Sequence, residues 1–170
     1  MELLQSGQID LATVQADIPA VPSARIISNL YPDMFQLIVR EDAGINSFED
    51  LKGKRMALPS KGGGQWILFW FTAHHYGVYE SDIINISLSS SAAVDAIING
   101  EIDAIFKVRA PRNQTILNIL SSCASKLIPI DQAAAMKLKQ PSLDIGNIPA
   151  GAYNGNPLIP KKRLIYHCSK

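Results

Sequence analysis

Arg55-Met56-Ala57-Leu58-Pro59-Ser60-Lys61-Gly62-Gly63-Gly64-Gln65-Trp66-Ile67-Leu68-Phe69-Trp70-Phe71 carries the fold reading in one line. Residues 55–58 form a short apolar run stopped by Pro59, the pattern of a buried strand. Residues 60–64 contain three consecutive glycines and no apolar periodicity, so they read as a loop. From residue 65 to 76 the chain is apolar almost all round, as in a helix sunk in a core, and Gly77 ends it. A strand, a glycine loop and a buried helix in succession open a crossover unit.

The same alternation extends outward. Residues 83–88 predict a strand. Ser91 can cap a helix whose apolar face is Val94, Ile97 and Ile98, closed by Gly100. Residues 104–108 predict a strand, 113–122 a helix and 126–130 another strand. Upstream, residues 9–15, 25–30 and 34–40 read as strands, and Ser47 can cap a short helix through Phe48 and Leu51 with Gly53 past its end. Residues 131–139 read as helical, stopped before Pro141. After Gly146 the chain is rich in Gly, Asn and Pro and reads as loop. Helices between short apolar strands imply crossover connections, hence an α/β fold with a largely parallel sheet.

The chain has 170 residues, 47% of them hydrophobic, enough for a real core and too apolar for disorder. Its 16 basic and 15 acidic residues leave a net charge of +1, which argues against a nucleic-acid binder with a broad basic footprint. No run of about 18 apolar residues is present, and no basic-then-apolar leader opens the sequence. On composition alone the expectation is a soluble cytoplasmic domain. Cys123 and Cys168 are the only cysteines and define no disulfide framework; Cys123 follows an apolar helical run and reads as a buried thiol. His74 and His75 are adjacent, so a helix points them apart, and they read as surface or packing residues. His167 and Cys168 fall in a terminal segment that reads as frayed.

Leu4-Gln5-Ser6-Gly7-Gln8-Ile9-Asp10-Leu11 echoes Ile97-Ile98-Asn99-Gly100-Glu101-Ile102-Asp103-Ala104. In both, a helix ends at a glycine, a short turn follows, an Ile plugs the core and a strand begins. The two glycines lie 93 positions apart, too far for a solenoid repeat. Either two similar α/β lobes flank a cleft, or a common signature recurs by chance. Asp10 and Asp103 read as turn caps.

Ser60-Lys61-Gly62-Gly63-Gly64 joins a strand to a helix N-terminus, where bare backbone N–H groups and the helix dipole favour a carboxylate or phosphate. The alternative is a flexible turn. The loop is neither a P-loop nor a dinucleotide fingerprint, so no nucleotide cofactor is implied. Trp66 either packs in the core or walls a ligand pocket. Lys107-Val108-Arg109-Ala110-Pro111-Arg112 follows a strand, and ligands of open α/β sheets bind beyond strand carboxyl ends. Arg109 there is either a bidentate carboxylate clamp or part of a solvated loop. By the echo, Gln15 sits at the matching strand end and is a candidate ligand hydrogen-bonder. No nucleophile–base motif and no metal-ligand spacing stand out, so no catalytic residue is assigned.

Ser28-Asn29-Leu30-Tyr31-Pro32, Gln36-Leu37-Ile38-Val39-Arg40, Ser47-Phe48-Glu49-Asp50-Leu51-Lys52-Gly53-Lys54-Arg55, Gly100-Glu101-Ile102-Asp103-Ala104, Cys123 and Ile148-Pro149-Ala150-Gly151-Ala152-Tyr153 occur in an order that resembles TRAP-transporter solute-binding proteins of the TAXI family, over residues 1–157. The resemblance implies a type II periplasmic-binding-protein-like α/β fold of two lobes, joined by crossing strands at residues 34–40 and 126–130. Residues 1–40 would belong to an incomplete first lobe, 41–128 to a complete second lobe, and 129–170 to a return to the first lobe and a tail. It also implies an extracytoplasmic receptor that closes on a small organic anion, an amino acid or dicarboxylate such as glutamate, for delivery to a membrane permease. The expected ligand groups are the backbone N–H groups of Gly62, Gly63, Gly64 and Gln65, assisted by Gln15, Ser60 and Arg109. The family's Gly-Ser-Gly-Thr loop aligns with Gly62-Gly63-Gly64-Gln65, and Arg109 replaces a usual Gly. The leader, first strand and first helix of the pattern are expected to have been lost by truncation. The alternatives are an enzyme on the same bilobal fold, or a non-binding remnant that forms a homodimer through its incomplete first lobe.

Overall fold

The computed structural model describes residues 2–14, 21–28, 30–153, 158–160 and 163–169. In chain order the helices are α1 (Glu2–Gln5), α2 (Gly64–His75), α3 (Ser90–Asn99), α4 (Gln114–Ser122) and α5 (Ala133–Lys139). The strands are β1 (Asp33–Arg40), β2 (Arg55–Ala57), β3 (Ile84–Asn85), β4 (Ala104–Arg109), β5 (Ser125–Ile128), β6 (Leu143–Ile148) and β7 (Leu164–Ser169). All seven strands belong to one sheet in the order β3-β2-β4-β1-β7-β6, with β5 also on β1. The fold is mixed α/β.

The sheet is not largely parallel. β2 runs parallel to β3 and to β4, because α2 and α3 are crossovers that return the chain in the same direction. β1 pairs antiparallel with β4, β5 and β7, and β6 pairs antiparallel with β7. Between β6 and β7 the described residues contain no helix, and the two strands pair antiparallel as a hairpin. Gly146 and Asn147 are poor strand formers and hid β6, which nevertheless buries Leu143 and Ile148 at its ends. His167 and Cys168 lie in β7, so that end is not frayed backbone.

β1 and β4 form the middle of the core. Six successive residues of β1 are buried, the mark of a strand covered on both faces. Phe106 on β4 gathers the large rings: Phe35 at 5.8 Å, Phe69 from α2 at 5.4 Å and Phe48 at 6.5 Å between centroids, all three edge-on. α2 sinks Leu68, Phe69, Trp70, Thr72 and Ala73, as its all-round apolar sequence predicts, and buried Thr72 returns its hydroxyl proton to the Leu68 carbonyl. Trp66 is half-buried and packs edge-on to Trp70 at 5.7 Å.

Upstream of β1 the sequence expectations fail. The described parts of residues 9–15 and 25–30 contain no strand, and Leu11, Ile26 and Ile27 are exposed. An apolar run becomes a strand only where another strand completes its hydrogen bonds, and among the described residues no strand pairs with these runs. The echo is half kept. Gly7 and Gly100 both take positive φ after a helix, but Ile102 is buried while Ile9 is exposed. The predicted strand over residues 83–88 shrinks to Ile84–Asn85. The cap of α3 is Ser89 rather than Ser91, its hydroxyl accepting the Ala92 amide at 3.2 Å. Asn113 caps α4 through the Thr115 amide at 3.0 Å.

Asp103 is not a turn cap but the tie between β2 and β4. Its carboxylate accepts the Arg55 amide at 2.8 Å and the Arg55 guanidinium at 2.6 and 3.2 Å. Burial alone would push this carboxyl up, but the Arg55 hydrogen bonds outweigh that and hold it below its ordinary range. A lowered folded pKa makes the contribution complete above the unfolded value of about 3.9. It is lost as the pH falls through the lower folded value. Asp103→Asn is therefore expected to cost about 1–3 kcal/mol in urea unfolding at neutral pH. The difference from wild type should shrink on acidification, and a gap that stays constant down to about pH 2.5 would contradict the assignment.

Candidate functional site

β2 stops at Ala57, which pairs with Ile105, while β4 continues to Arg109. Beyond Ile105 the β2-side edge of β4 is therefore uncovered, and a cleft of about 330 Å³ opens there. One wall is the end of β2 with Leu58, Pro59 and Ser60, and the first turn of α2 with Gly63, Gly64 and Gln65. The opposite wall is the start of α3, with Ser89 and Ser90. Phe106, Lys107 and Arg109 line it from β4, and Asp33 stands at the start of β1.

The glycine loop earns its composition at two positions. Gly62 turns the chain at φ 81°, in the region that suits glycine. A Cβ on Gly63 would meet the Ser60 carbonyl at 3.2 Å. The Gly63 amide already donates to that carbonyl at 3.1 Å, so it is committed within the turn. The N–H groups of Gly64 and Gln65 belong to the opening turn of a 12-residue helix, where no preceding turn accepts them. The Gln65 side chain is also committed: its Oε1 accepts the Val108 amide at 3.2 Å. That bond closes the backbone edge that β2 leaves open.

Lys107 and Arg109 are two residues apart on a strand, so they project from the same face. Lys107 is 7% exposed and its Nζ donates to the Ser90 Oγ at 2.9 Å. Burial pushes its ammonium below the ordinary lysine value, and the Arg109 charge adds to this. Arg109 is half-buried and its Nη1 donates to the Val108 carbonyl at 2.9 Å. Two helix N-termini, two cations and the hydroxyls of Ser60 and Ser90 thus surround one space, which suits a small anion.

Of the residues named from sequence, Ser60, Gly63, Gly64, Gln65 and Arg109 line the cleft together. Gly62 shapes the loop without lining it, and Gln15 lies outside the described residues. Trp66 does not line it either, so its packing role stands. Sequence reading missed Lys107, Ser89, Ser90 and Asp33. Lys107 was legible: residues 107 and 109 share a face once the strand is extended past 106. Asp33 enters only through the pairing that sets Met34 opposite Arg109. Among the described residues no group of His, Cys, Asp and Glu is placed to hold a metal. His75 touches Gln132 and Lys139, and His74 touches Glu80.

A buried lysine that the fold holds below its ordinary value weakens the folded state while it is protonated. Stability therefore rises with pH between its folded value and the unfolded value of about 10.4. Lys107→Met is expected to unfold in urea at the same or a higher concentration near neutral pH, and to lack that rise. A variant less stable than wild type by more than about 2 kcal/mol would show that the ammonium is a structural tie instead.

The solved structures that this chain resembles include the periplasmic aliphatic sulphonate binding protein SsuA from Escherichia coli, at 23% identity and a TM-score of 0.47, with 56% of this chain and 29% of that one covered. A putative periplasmic sulfonate-binding protein SsuA from Methylobacillus flagellatus KT follows at 24% identity, TM-score 0.46, with 56% and 27% covered. An ABC transporter periplasmic binding protein from Brucella ovis with glutathione bound has 15% identity, TM-score 0.43, and 58% and 30% covered. The matched part thus spans less than a third of the length of these proteins. The model of the NMT1-like family matches residues 19–160, most of the sequence, and the chain belongs to that family.

Proposed function

We propose that this chain is the ligand-holding part of an extracytoplasmic solute receptor and that the cleft beside β4 takes a small organic anion. The observation that carries the reading is Lys107 and Arg109 on one strand face, opposite the first turns of α2 and α3. An anion there gains charge-assisted hydrogen bonds, and it relieves the mutual repulsion of two cations in a partly dry site. The Gly64 and Gln65 amides and the Ser60 hydroxyl supply neutral donors. Glutamate is an anion of this class, and Asp33, already engaged within the protein, also stands on the rim. Ligands of this size fit a site of about 330 Å³. Such a receptor passes its solute to a membrane permease, of the TRAP type by the resemblance of the sequence. The reading requires no covalent step.

Calorimetric titration with glutamate, glutamine, succinate and a short alkanesulfonate tests this. At least one is expected to bind, with affinity falling as salt rises. Arg109→Ala and Lys107→Met should each weaken it by at least about tenfold, or about 1.4 kcal/mol. No heat with any of the four, from a protein with a cooperative melt, would sink the reading.

A further inference from the structure

Two buried polar side chains that the cleft does not use, Gln36 and Tyr153, meet beside one turn. β4 ends at Arg109, and the chain turns through Ala110, Pro111 and Arg112 before α4. Arg112 holds a φ of 66° without being glycine. A non-glycine residue in that region is kept there by its surroundings. The first residue of this turn is gripped from β1. Gln36 in β1 is fully buried, and its Nε2 donates to the Arg109 carbonyl at 2.9 Å. Its Oε1 accepts the Tyr153 hydroxyl proton, and the Arg112 backbone acts on that hydroxyl electrostatically.

The direction of this chain of bonds is forced. A backbone carbonyl only accepts, so Gln36 must present its amide nitrogen to Arg109 and its oxygen to Tyr153. Tyr153 must then donate to Gln36. Burial pushes the Tyr153 hydroxyl up to about 12, so it keeps the proton the chain requires. Tyr153 is itself fixed from behind. Its amide donates to the Ile159 carbonyl at 2.9 Å, and the Gly151 amide donates to the Pro160 carbonyl at 3.1 Å. Gly151 sits at φ 71°, and a Cβ there would lie 3.1 Å from Leu158.

We propose that Gln36 and Tyr153 are positioning residues for the anion site: together they clamp the turn over residues 109–112 and fix where Arg109 enters the cleft. The proposal rests on the reading of that cleft as an anion site. Neither residue lines the cleft. The Arg109 guanidinium is anchored to the carbonyl of its own neighbour, so it moves wherever its backbone moves. Misplacing a charged donor by even a fraction of an ångström lengthens its hydrogen bond to the ligand. The clamp also accounts for Ile148-Pro149-Ala150-Gly151-Ala152-Tyr153, a motif none of whose residues lines the cleft.

Tyr153→Phe keeps the ring and removes the hydroxyl. Leu51→Ala, in the core and away from the turn, is the control for plain destabilisation. In Tyr153→Phe the amides of Ala110 and Arg112 should exchange with deuterium at least about tenfold faster, with those of α2 unchanged. Phenylglyoxal should label Arg109 at a clearly altered rate. Glutamate, or whichever of the four anions wild type binds, should bind about tenfold more weakly. Leu51→Ala should show none of these local changes. If Tyr153→Phe does not fold, Gln36→Met removes the other end of the chain and gives the same readouts. Unchanged exchange and labelling, or the same pattern from Leu51→Ala, would overturn the clamp. Undiminished anion binding by Tyr153→Phe would overturn its positioning role. A wild type that binds no anion defeats the binding reading alone, because exchange and labelling without ligand still decide the clamp.

Discussion

The antiparallel pairing of β1 with β4 is the constraint on which the rest depends. It runs through six residue pairs, from Met34 opposite Arg109 to Val39 opposite Ala104. Both strands are buried along almost their whole length, so their backbone groups must be satisfied by each other or by neighbouring strands. This ladder fixes the height at which β4 ends relative to β1. That height decides that Asp33, Gln36 and Arg109 lie near one another. It also gives Phe35 and Phe106 their edge-on contact, against which α2 seats Phe69. β5 and β7 then share the other edge of β1, one beside its second half and one beside its first residues.

The cleft follows from a mismatch in strand length. A sheet whose strands all ended together would present a flat rim. Here β2 has three residues and β4 has six, so β4 overshoots its neighbour. The overshoot leaves a backbone edge and a side-chain face bare inside the molecule, with Lys107 on it. An apolar side chain at that position would be easier to bury. A lysine held below its ordinary value, bonded to Ser90 and next to Arg109, is costly for folding alone. That cost is understandable when an anion completes the site.

Much of this was legible in the sequence. The strand, glycine loop and helix over residues 55–76 occur nearly as the pattern predicts, as do α3 with Gly100 behind it and β4. These elements announce themselves because each is specified locally, by a periodicity and a stop signal. What was not legible depends on partners distant in sequence. The apolar runs over residues 9–15 and 25–30 look like strands, yet their described residues contain no strand. β6 looks like loop, yet β7 pairs with it and makes it a strand. Gln36 and Tyr153 are 117 positions apart and give no sign of each other. Within the site the glycine loop and Arg109 could be named, whereas Ser89 and Asp33 reach the cleft only through the sheet order.

The two glutamines beside β4 show how structure and binding compete for the same groups. Gln65 stands at a helix N-terminus facing the cleft, where a side-chain amide is well placed to meet a ligand. Its oxygen is instead spent on the Val108 amide, which β2 is too short to reach. Gln36 does the corresponding work one residue further on, donating to the Arg109 carbonyl from the other side. The end of β4 is therefore held by side chains where a longer sheet would hold it by backbone. Side-chain ties can be tuned residue by residue without rebuilding a strand. The cationic groups of Lys107 and Arg109 remain directed at the space between α2 and α3, and the amides that might have joined them hold the strand that carries them.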